Sequence, residues 1–298
     1  MVEWIDREQV ARVLKMEDLI PAMEEALMDY SSGQILQPVR TMMPIKEANG
    51  FFGSMPAATP DAMGTKLVSF YPENAGTGIE THQAIIALFD PATGTPLAIM
   101  DGGLITEMRT AAVSAVATKH MAPEDAKTLA ILGSGAQARS HLEALNHVRD
   151  FKDVRCWSRT AANAEVFAEE TGATAMSAED AVRDADVVVT VTSSKTPVLE
   201  GKWLKPGAHV NAIGACVPDW RELDDDVMKQ VIIADCRKAA VKESGDIILS
   251  GATIHGELGE VASGKCSSEQ DRITIFKSLG LAAEDMASAR LVYDKIKN

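Results

Sequence analysis

The spacing of apolar positions divides the chain into three stretches. Residues 16–30, MEDLIPAMEEALMDY, place Leu19, Ile20, Met23, Ala26, Leu27 and Tyr30 at helical intervals, and Ser31-Ser32-Gly33 ends that predicted helix. From Val39 to Met100 the period shortens. Runs such as KLVSF (66–70) and QAIIALFD (83–90) alternate with the turn-rich YPENAGTG and PATGTP, which predicts a mostly antiparallel sheet. Residues 104–121, LITEMRTAAVSAVATKHM, predict one long Ala-rich helix. Strands then alternate with helices: a strand over 128–132, a helix over 138–148, a strand over 154–157, a helix ending at Gly172, then strands over 187–193, 209–215 and 231–235. Residues 281–298 predict a final helix. Alternation of this kind implies a doubly wound parallel sheet. There is no internal repeat and no low-complexity tract.

The centre of the pattern is TLAILGSGAQARSH (128–141). A short apolar strand runs straight into Gly133-Ser134-Gly135-Ala136-Gln137-Ala138 and then into a helix, the context that a dinucleotide fingerprint requires. Gly133 permits the tight turn. Gly135 lets the backbone approach a pyrophosphate, and Ala138 stands where a small residue lets helix pack on strand. The helix start offers free N–H groups and partial positive charge to phosphates. The fold class is therefore α/β, a Rossmann-type doubly wound sheet, with an N-terminal α+β domain before it. Nucleotide choice is read about 20 residues past the glycines, where NAD-binding folds commonly carry an acid for the ribose 2′-hydroxyl. Here stand Trp157-Ser158-Arg159-Thr160 and Asn163, without a carboxylate. Arg159 reads either as a solvated surface charge or as the partner of a 2′-phosphate. The second reading favours NADPH, with NADH as the alternative.

Composition narrows the partners. The chain has 298 residues, a net charge of −14, 46% hydrophobic and 24% charged residues, ordinary values for a soluble globular protein of about two domains. An acidic chain has no general attraction for phosphate backbones, so nucleic acid is not an expected partner. No stretch approaches the roughly 20 apolar residues of a membrane span, and the charged start MVEWIDREQV does not read as a secretory signal. The four cysteines, Cys156, Cys216, Cys236 and Cys266, lack metal-ligand spacing; no metal is expected, and a reduced cytoplasmic setting is the simpler reading.

Several stretches together resemble the ornithine cyclodeaminase/mu-crystallin family over essentially the full length: QPVRT (37–41), GTKLVSFY (64–71), THQAIIALFDPATGTPLAIMDGGLITEMRTAAVSAVAT (81–118), LGSGAQARSH (132–141), WSRT (157–160) and FKSLG (276–280). Residues 205–228 and 242–252 resemble the mu-crystallin branch, whose members are described as ketimine reductases. The resemblance implies a homodimer in which residues 1–118, rejoined by 282–298, form a substrate-binding and dimerisation domain and 119–281 form the Rossmann domain. It implies that Arg40, Lys66 and Arg109 hold the α-carboxylate of an imino or amino acid, with Lys66 and Arg109 as the catalytic pair. Guanidinium groups suit that task because they bind a carboxylate bidentately and stay charged. The family's pattern further assigns Cys216, Glu243 and Leu279 to the substrate. To the cofactor it assigns Thr81, His82, Gly133, Gly135, Ala136, Gln137, Ser158, Arg159, Thr160, Asn163, Thr192, Ile213 and Ser278. His82 reads equally as a structural histidine, and Glu243 as an ordinary surface acid. His141 and His209 read as packing or solvent residues, and His255 as facing an acidic helix.

Cys216 departs from the cyclodeaminase branch, which carries a catalytic aspartate after the NAIG-type strand. A thiol, with an unperturbed pKa near 8.5, is a poor substitute for a carboxylate that serves deamination. The leading expectation is therefore NADPH-dependent reduction of a cyclic ketimine carboxylate, such as Δ1-piperideine-2-carboxylate or Δ1-pyrroline-2-carboxylate. The alternatives that the family implies are NADPH-regulated binding of thyroid hormones such as triiodothyronine, an amino-acid dehydrogenase, and an ornithine cyclodeaminase.

Overall fold

The computed structural model describes residues 2–297. The chain divides into two compact units, Met1–Arg109 with Leu281–Asn298, and Thr110–Gly280.

The first unit opens with β1 (Glu3–Ile5), α1 (Arg7–Val13) and α2 (Met16–Ser31), followed by β2 (Thr41–Ile45), β3 (Gly50–Ala58), β4 (Met63–Phe70), β5 (His82–Phe89), β6 (Pro96–Asp101) and the start of α3 (Gly102–Met121). The six strands form one sheet in the order β1-β6-β5-β4-β3-β2. β2 to β6 pair antiparallel with their neighbours, and β1 joins β6 in parallel. β1 has no counterpart in the predicted elements, because three residues are too few to show a period of two. One face of the sheet points Met55, Val68, Ile86, Leu88, Ala98 and Met100 inward, all at most 4% exposed. The C-terminal helix, Ala282–Lys297, packs on that face against β3, β4 and β5, and against α2. A Cβ on Gly64 would lie 2.1 Å from the Ala87 carbonyl oxygen and 3.0 Å from Met286 Sδ, so glycine is what lets helix and strands approach there.

The second unit holds the remainder of α3, then β7 (Thr128–Leu132), α4 (Ala136–Asn146), β8 (Asp153–Trp157), α5 (Ala161–Thr171), β9 (Thr174–Ala175), α6 (Ala178–Val182), β10 (Val187–Thr190), β11 (His209–Ala212), β12 (Val231–Ala234), α7 (Arg237–Glu243), α8 (Gly245–Ser250), β13 (Gly256–Glu257), α9 (Leu258–Ala262) and β14 (Thr274–Lys277). The eight strands lie in the order β13-β12-β14-β11-β10-β7-β8-β9, all in parallel. After β7 the chain builds outward through β8 and β9, then returns to place β10 on the other side of β7. That reversal is the switch point at which open parallel sheets leave a ligand crevice. β10 and β11 stop at Thr190 and Ala212, short of the predicted 193 and 215, because the chain there turns into the loops of that crevice.

α3 is apolar on all sides through Ala111, Ala112, Val113, Ala115 and Val116, each 0% exposed, as expected of a buried helix. Two buried polar chains tie it to the second unit. His141 donates through Nδ1 to the Gln137 carbonyl (2.7 Å), which leaves Nε2 to accept from the Ser114 hydroxyl (3.0 Å). Asn211 Nδ2 donates to Thr118 Oγ1 (2.9 Å), while its Oδ1 accepts from His209 Nε2 (3.3 Å) and Thr274 meets His209 Nδ1 (2.9 Å). Both rings are thus packing groups with every ring nitrogen engaged. His255 sits differently from the sequence expectation: its Nδ1 accepts the Ile232 N–H (3.0 Å).

Burial pushes the imidazoles of His141 and His209 down to about 4 and about 3. Unfolded, they protonate near 6.5, so below that pH the unfolded chain binds more protons than the folded one. Their contribution is complete above pH ~6.5 and is lost as pH falls toward 4. Thermal melts between pH 7 and 4.5 are expected to show a falling Tm, with a shallower fall in His141→Gln than in the parent chain.

Candidate active site

The glycine turn is built as a phosphate cradle. Gly133 adopts φ +137°, and a Cβ there would lie 2.7 Å from the Val191 carbonyl oxygen. A Cβ at Gly135 would meet nothing within 4 Å, so open space lies over the backbone at the start of α4. No side chain caps that helix, which leaves its first N–H groups for a ligand. Arg139 straps the turn from behind, donating to the carbonyls of Ser134 (2.7 Å) and Gly135 (3.2 Å). Ala136 is exposed and Gln137 half-buried at the same helix start. At the end of β8, Ser158 accepts a hydrogen bond from the Ser134 hydroxyl (3.0 Å), and exposed Arg159, Thr160 and Asn163 follow. These residues fit a dinucleotide: the turn, the open backbone, the free helix start and the hydroxyl-and-arginine group stand together.

Further along the carboxyl edge of the same sheet lie Thr192, Ile213, Cys216, Ser278 and Leu279, on the loops after β10, β11 and β14. The sequence did not announce what holds them. Glu222, 0% exposed, accepts from the Thr190 hydroxyl (2.8 Å), the Thr192 N–H (2.6 Å) and the Thr192 hydroxyl (2.6 Å). Asp246 accepts the N–H groups of Glu222 (2.9 Å) and Leu223 (3.1 Å) and pairs with Lys277 (3.0 Å), which also donates to the Gly214 carbonyl. Asp235 takes the N–H groups of Leu279 (2.5 Å) and Gly280 (2.7 Å). Burial lifts the Glu222 carboxyl above its usual range despite the nearby Lys277 charge. Burial pulls Lys277 down, but the charges of Asp246, Cys216 and Glu222 outweigh it, and its pKa stands above the usual lysine value. A Cβ on Gly214 would sit 2.3 Å from the Thr192 carbonyl oxygen, so the loops after β10 and β11 are in direct backbone contact. The Cys216 thiol donates to the Ile213 carbonyl (3.3 Å). Glu243 ends α7, half-buried, three residues before Asp246.

The first unit holds the cations. Lys66, in β4, is 1% exposed and projects from the inner face of the sheet. Arg109, in α3, is 4% exposed. Lys66 Nζ donates to Thr106 Oγ1 (3.2 Å) and to Asp285 Oδ1 (2.9 Å), and lies 2.8 Å from Asp285 Oδ2. Arg109 donates through Nε to Asp285 (3.2 Å) and through Nη1 to Glu284 (3.0 Å). Arg40, half-buried just before β2, lies within electrostatic reach of Lys66 and His82. His82 shares the sheet face of Lys66, and Thr81 precedes it in the turn, its carbonyl accepting the Tyr71 N–H (2.8 Å). Desolvation lowers the Lys66 pKa to about 8, although Asp285 opposes the fall. Desolvation, then the charges of Lys66 and Arg109, push the His82 imidazole down to about 4. Arg40, Lys66, His82 and Arg109 are thus brought together, with Glu284 and Asp285 added by the C-terminal helix.

The sequence profile of the ornithine cyclodeaminase/mu-crystallin family matches residues 3–298. The ketimine reductase mu-crystallin of Mus musculus is 51% identical over 285 residues, 93% of this chain and 91% of the mouse protein. The Δ1-pyrroline-2-carboxylate reductase of Thermococcus litoralis, solved with NADH and L-proline, superposes with a TM-score of 0.95 at 36% identity, over 100% of this chain and 98% of that one. An archaeal alanine dehydrogenase dimer with bound NAD superposes with a TM-score of 0.93 at 33% identity, over 99% of this chain and 96% of that one.

Removing one partner of a buried ion pair strands the other charge. Asp246→Ala is expected to cost about 3–5 kcal/mol of stability, read as a lower urea midpoint. The Asp246→Ala/Lys277→Met double variant should recover part of that loss.

Proposed function

The chain belongs to the ornithine cyclodeaminase/mu-crystallin family, and on that premise we propose that it reduces cyclic ketimine carboxylates, with NADPH preferred to NADH. The substrates are five- or six-membered rings of the Δ1-pyrroline-2-carboxylate and Δ1-piperideine-2-carboxylate type. The observation that carries this reading is the convergence of Lys66 and Arg109, both almost fully buried, on one carboxylate of the C-terminal helix. Buried cations at hydrogen-bond spacing are a prepared seat for an organic acid.

Arg40 and Arg109 hold the substrate carboxylate, the guanidinium fork fixing the plane of the C=N group next to it. Lys66, with a pKa near 8, is mostly an ammonium at pH 7 and can release a proton without a large penalty. It supplies the proton to the imine nitrogen that makes the C=N carbon electrophilic and that remains on the product amine. His82 is neutral at that pH, so it orients by hydrogen bonding without adding charge. A bound reduced nicotinamide supplies the hydride that completes the C–H bond. Gly133, Gly135, Ala136 and Gln137 would hold its pyrophosphate, and Thr192, Ile213 and Ser278 would receive its nicotinamide end. Ser158, Arg159 and Thr160, with no carboxylate among them, favour a 2′-phosphate. A second reading shares the same cations: the α-carboxylate of triiodothyronine presents the group that Arg40 and Arg109 recognise, so hormone binding and reduction would compete for one seat. Oxidation of an amino acid would run the same chemistry in reverse.

A homodimer completes the proposal. The outer face of the sheet in the first unit carries Trp4 (62% exposed), Met43 (53%), Phe52 (40%) and Ile85 (39%). They share that face by register: Met43 pairs with Phe52, Ser54 with Leu67, and Leu67 with Ile85. So broad an apolar sheet face suits a second copy of the chain better than water.

Four measurements test this reading. Loss of the reduced nucleotide's near-ultraviolet absorbance should accompany addition of Δ1-piperideine-2-carboxylate. Arg109→Lys, which keeps the charge and loses the fork, should lower kcat/KM about tenfold or more and Arg109→Ala about 100-fold or more, with NADPH still bound; equal turnover rules out the clamp. Arg159→Ala should raise the KM for NADPH about tenfold and leave that for NADH in place. Light scattering should give twice the 31.9 kDa chain mass, and Phe52→Asp/Ile85→Asp should give the single chain.

A further inference from the structure

The mechanism above uses the cations and leaves unexplained the acids that face them. Asp285 is 0% exposed and lies in the first turn of the C-terminal helix, 219 residues from Lys66 along the chain. Both of its oxygens are spent on the clamp: Oδ1 accepts from Lys66 Nζ (2.9 Å) and Arg109 Nε (3.2 Å), and Oδ2 lies 2.8 Å from Lys66 Nζ. Glu284 beside it takes Arg109 Nη1 (3.0 Å) and the Leu281 N–H (3.1 Å). A helix start favours such acids, but the partners of Asp285 are the side chains of Lys66 and Arg109. Its contacts point across to β4 and α3.

We propose that Asp285 is a positioning residue for the reaction: it keeps Lys66 protonated and aimed, and it fixes the Nε edge of Arg109. This rests on the reduction reading above. The argument is one of balance. An ammonium that is 1% exposed in a sheet face, with Arg109, Arg40 and His82 around it, is driven toward the neutral amine by desolvation and by like charge. Thr106 offers only a neutral oxygen. Asp285 is the opposing negative charge in direct contact, from the C-terminal helix, while Glu284 on that helix faces Arg109. Without Asp285 the same burial would leave Lys66 largely deprotonated near neutral pH, unable to protonate an imine. With Asp285 the proton stays, at a pKa of about 8, low enough to be given up. The device therefore tunes a proton donor through a carboxylate that never touches the substrate.

The sign is fixed by the geometry. Lys66 acts as its protonated form, so kcat/KM falls as pH rises through the Lys66 pKa. Removing the Asp285 charge lowers that pKa, and the alkaline limb moves toward acid. The test compares the full-length wild type with Asp285→Asn, which keeps size and one hydrogen-bond acceptor. The alkaline limb of kcat/KM for Δ1-piperideine-2-carboxylate is expected near pH 8 in the wild type and lower by about one unit or more in Asp285→Asn. At pH above both limbs the variant is then slower by about tenfold or more. In parallel, the side-chain ¹⁵N resonance of Lys66, assigned by its loss in Lys66→Arg, is titrated in both proteins without substrate. It should show the same shift. A variant limb and a Lys66 titration that coincide with the wild type overturn the proposal. Absence of wild-type turnover overturns the reduction reading alone, because the resonance still reports on Asp285. If Asp285→Asn does not fold, Asp285→Ser leaves a small polar group and reads the same shift.

Discussion

The structure depends on the cost of keeping charged groups out of water. Moving an ammonium or carboxylate into the interior carries a penalty of several kcal/mol per ion after relaxation, recovered only by close, well-aligned partners. The first unit buries Lys66, Arg109, Glu284 and Asp285 together. None of the four is tolerable there alone. Their mutual contacts fasten β4 and α3 to the C-terminal helix, so the last sixteen residues of the described chain carry a condition for the cations near its middle. On the proposed reading, an incoming carboxylate would meet cations already held in place, which would spare it the entropy of ordering them.

The second unit solves a similar problem with opposite emphasis. Lys277 is the one buried ammonium among its described residues, and Asp246 and Glu222 surround it with two acids. The purpose here is shape rather than charge. Glu222 and Asp246 between them take the backbone N–H groups of Thr192, Glu222 and Leu223, Asp235 takes those of Leu279 and Gly280, and Lys277 takes the Gly214 carbonyl. Loops at the carboxyl edge of a parallel sheet have no ladder to satisfy their backbone. Buried side chains replace that ladder, and the loops keep one conformation. Gly214 marks how closely two of them approach.

Much of this was legible in the residues. The glycine turn declared itself because its chemistry is local: strand, turn and helix are consecutive, and each glycine has its own steric reason. The antiparallel region, the long Ala-rich helix and the alternation behind them followed from period alone. Lys66 and Arg109 stood out through the family resemblance of the stretches that hold them. Their partners did not. Glu284 and Asp285 sit in a helix whose spacing reads as an ordinary amphipathic end, where acids near the start are expected for capping reasons. Glu222 and Asp246 lie in charge-rich stretches that read as solvated surface. A period reports which face is buried, but a buried acid on that face breaks the period instead of signalling through it. Only three-dimensional proximity shows that such an acid answers a cation, 219 residues away in the case of Asp285 and Lys66.

The surroundings of Cys216 bear on which chemistry the second unit permits. Its thiol points at the carbonyl oxygens of Ile213 (3.3 Å) and Ser278 (3.8 Å). Carbonyls accept hydrogen bonds, so the position asks for a donor. A thiol is a weak donor and fits. A carboxylate there would face two oxygen dipoles, and the Lys277 charge within its reach is already shared with Asp246 and Glu222. On the proposed reading, loss of ammonia from a diamino acid would call for a base near the reacting carbon, and a weakly donating thiol does not serve as one. Hydride addition to an imine asks nothing of this position except that it be small. A thiol at this position therefore accords with the proposed reduction and not with a deamination that needs a carboxylate.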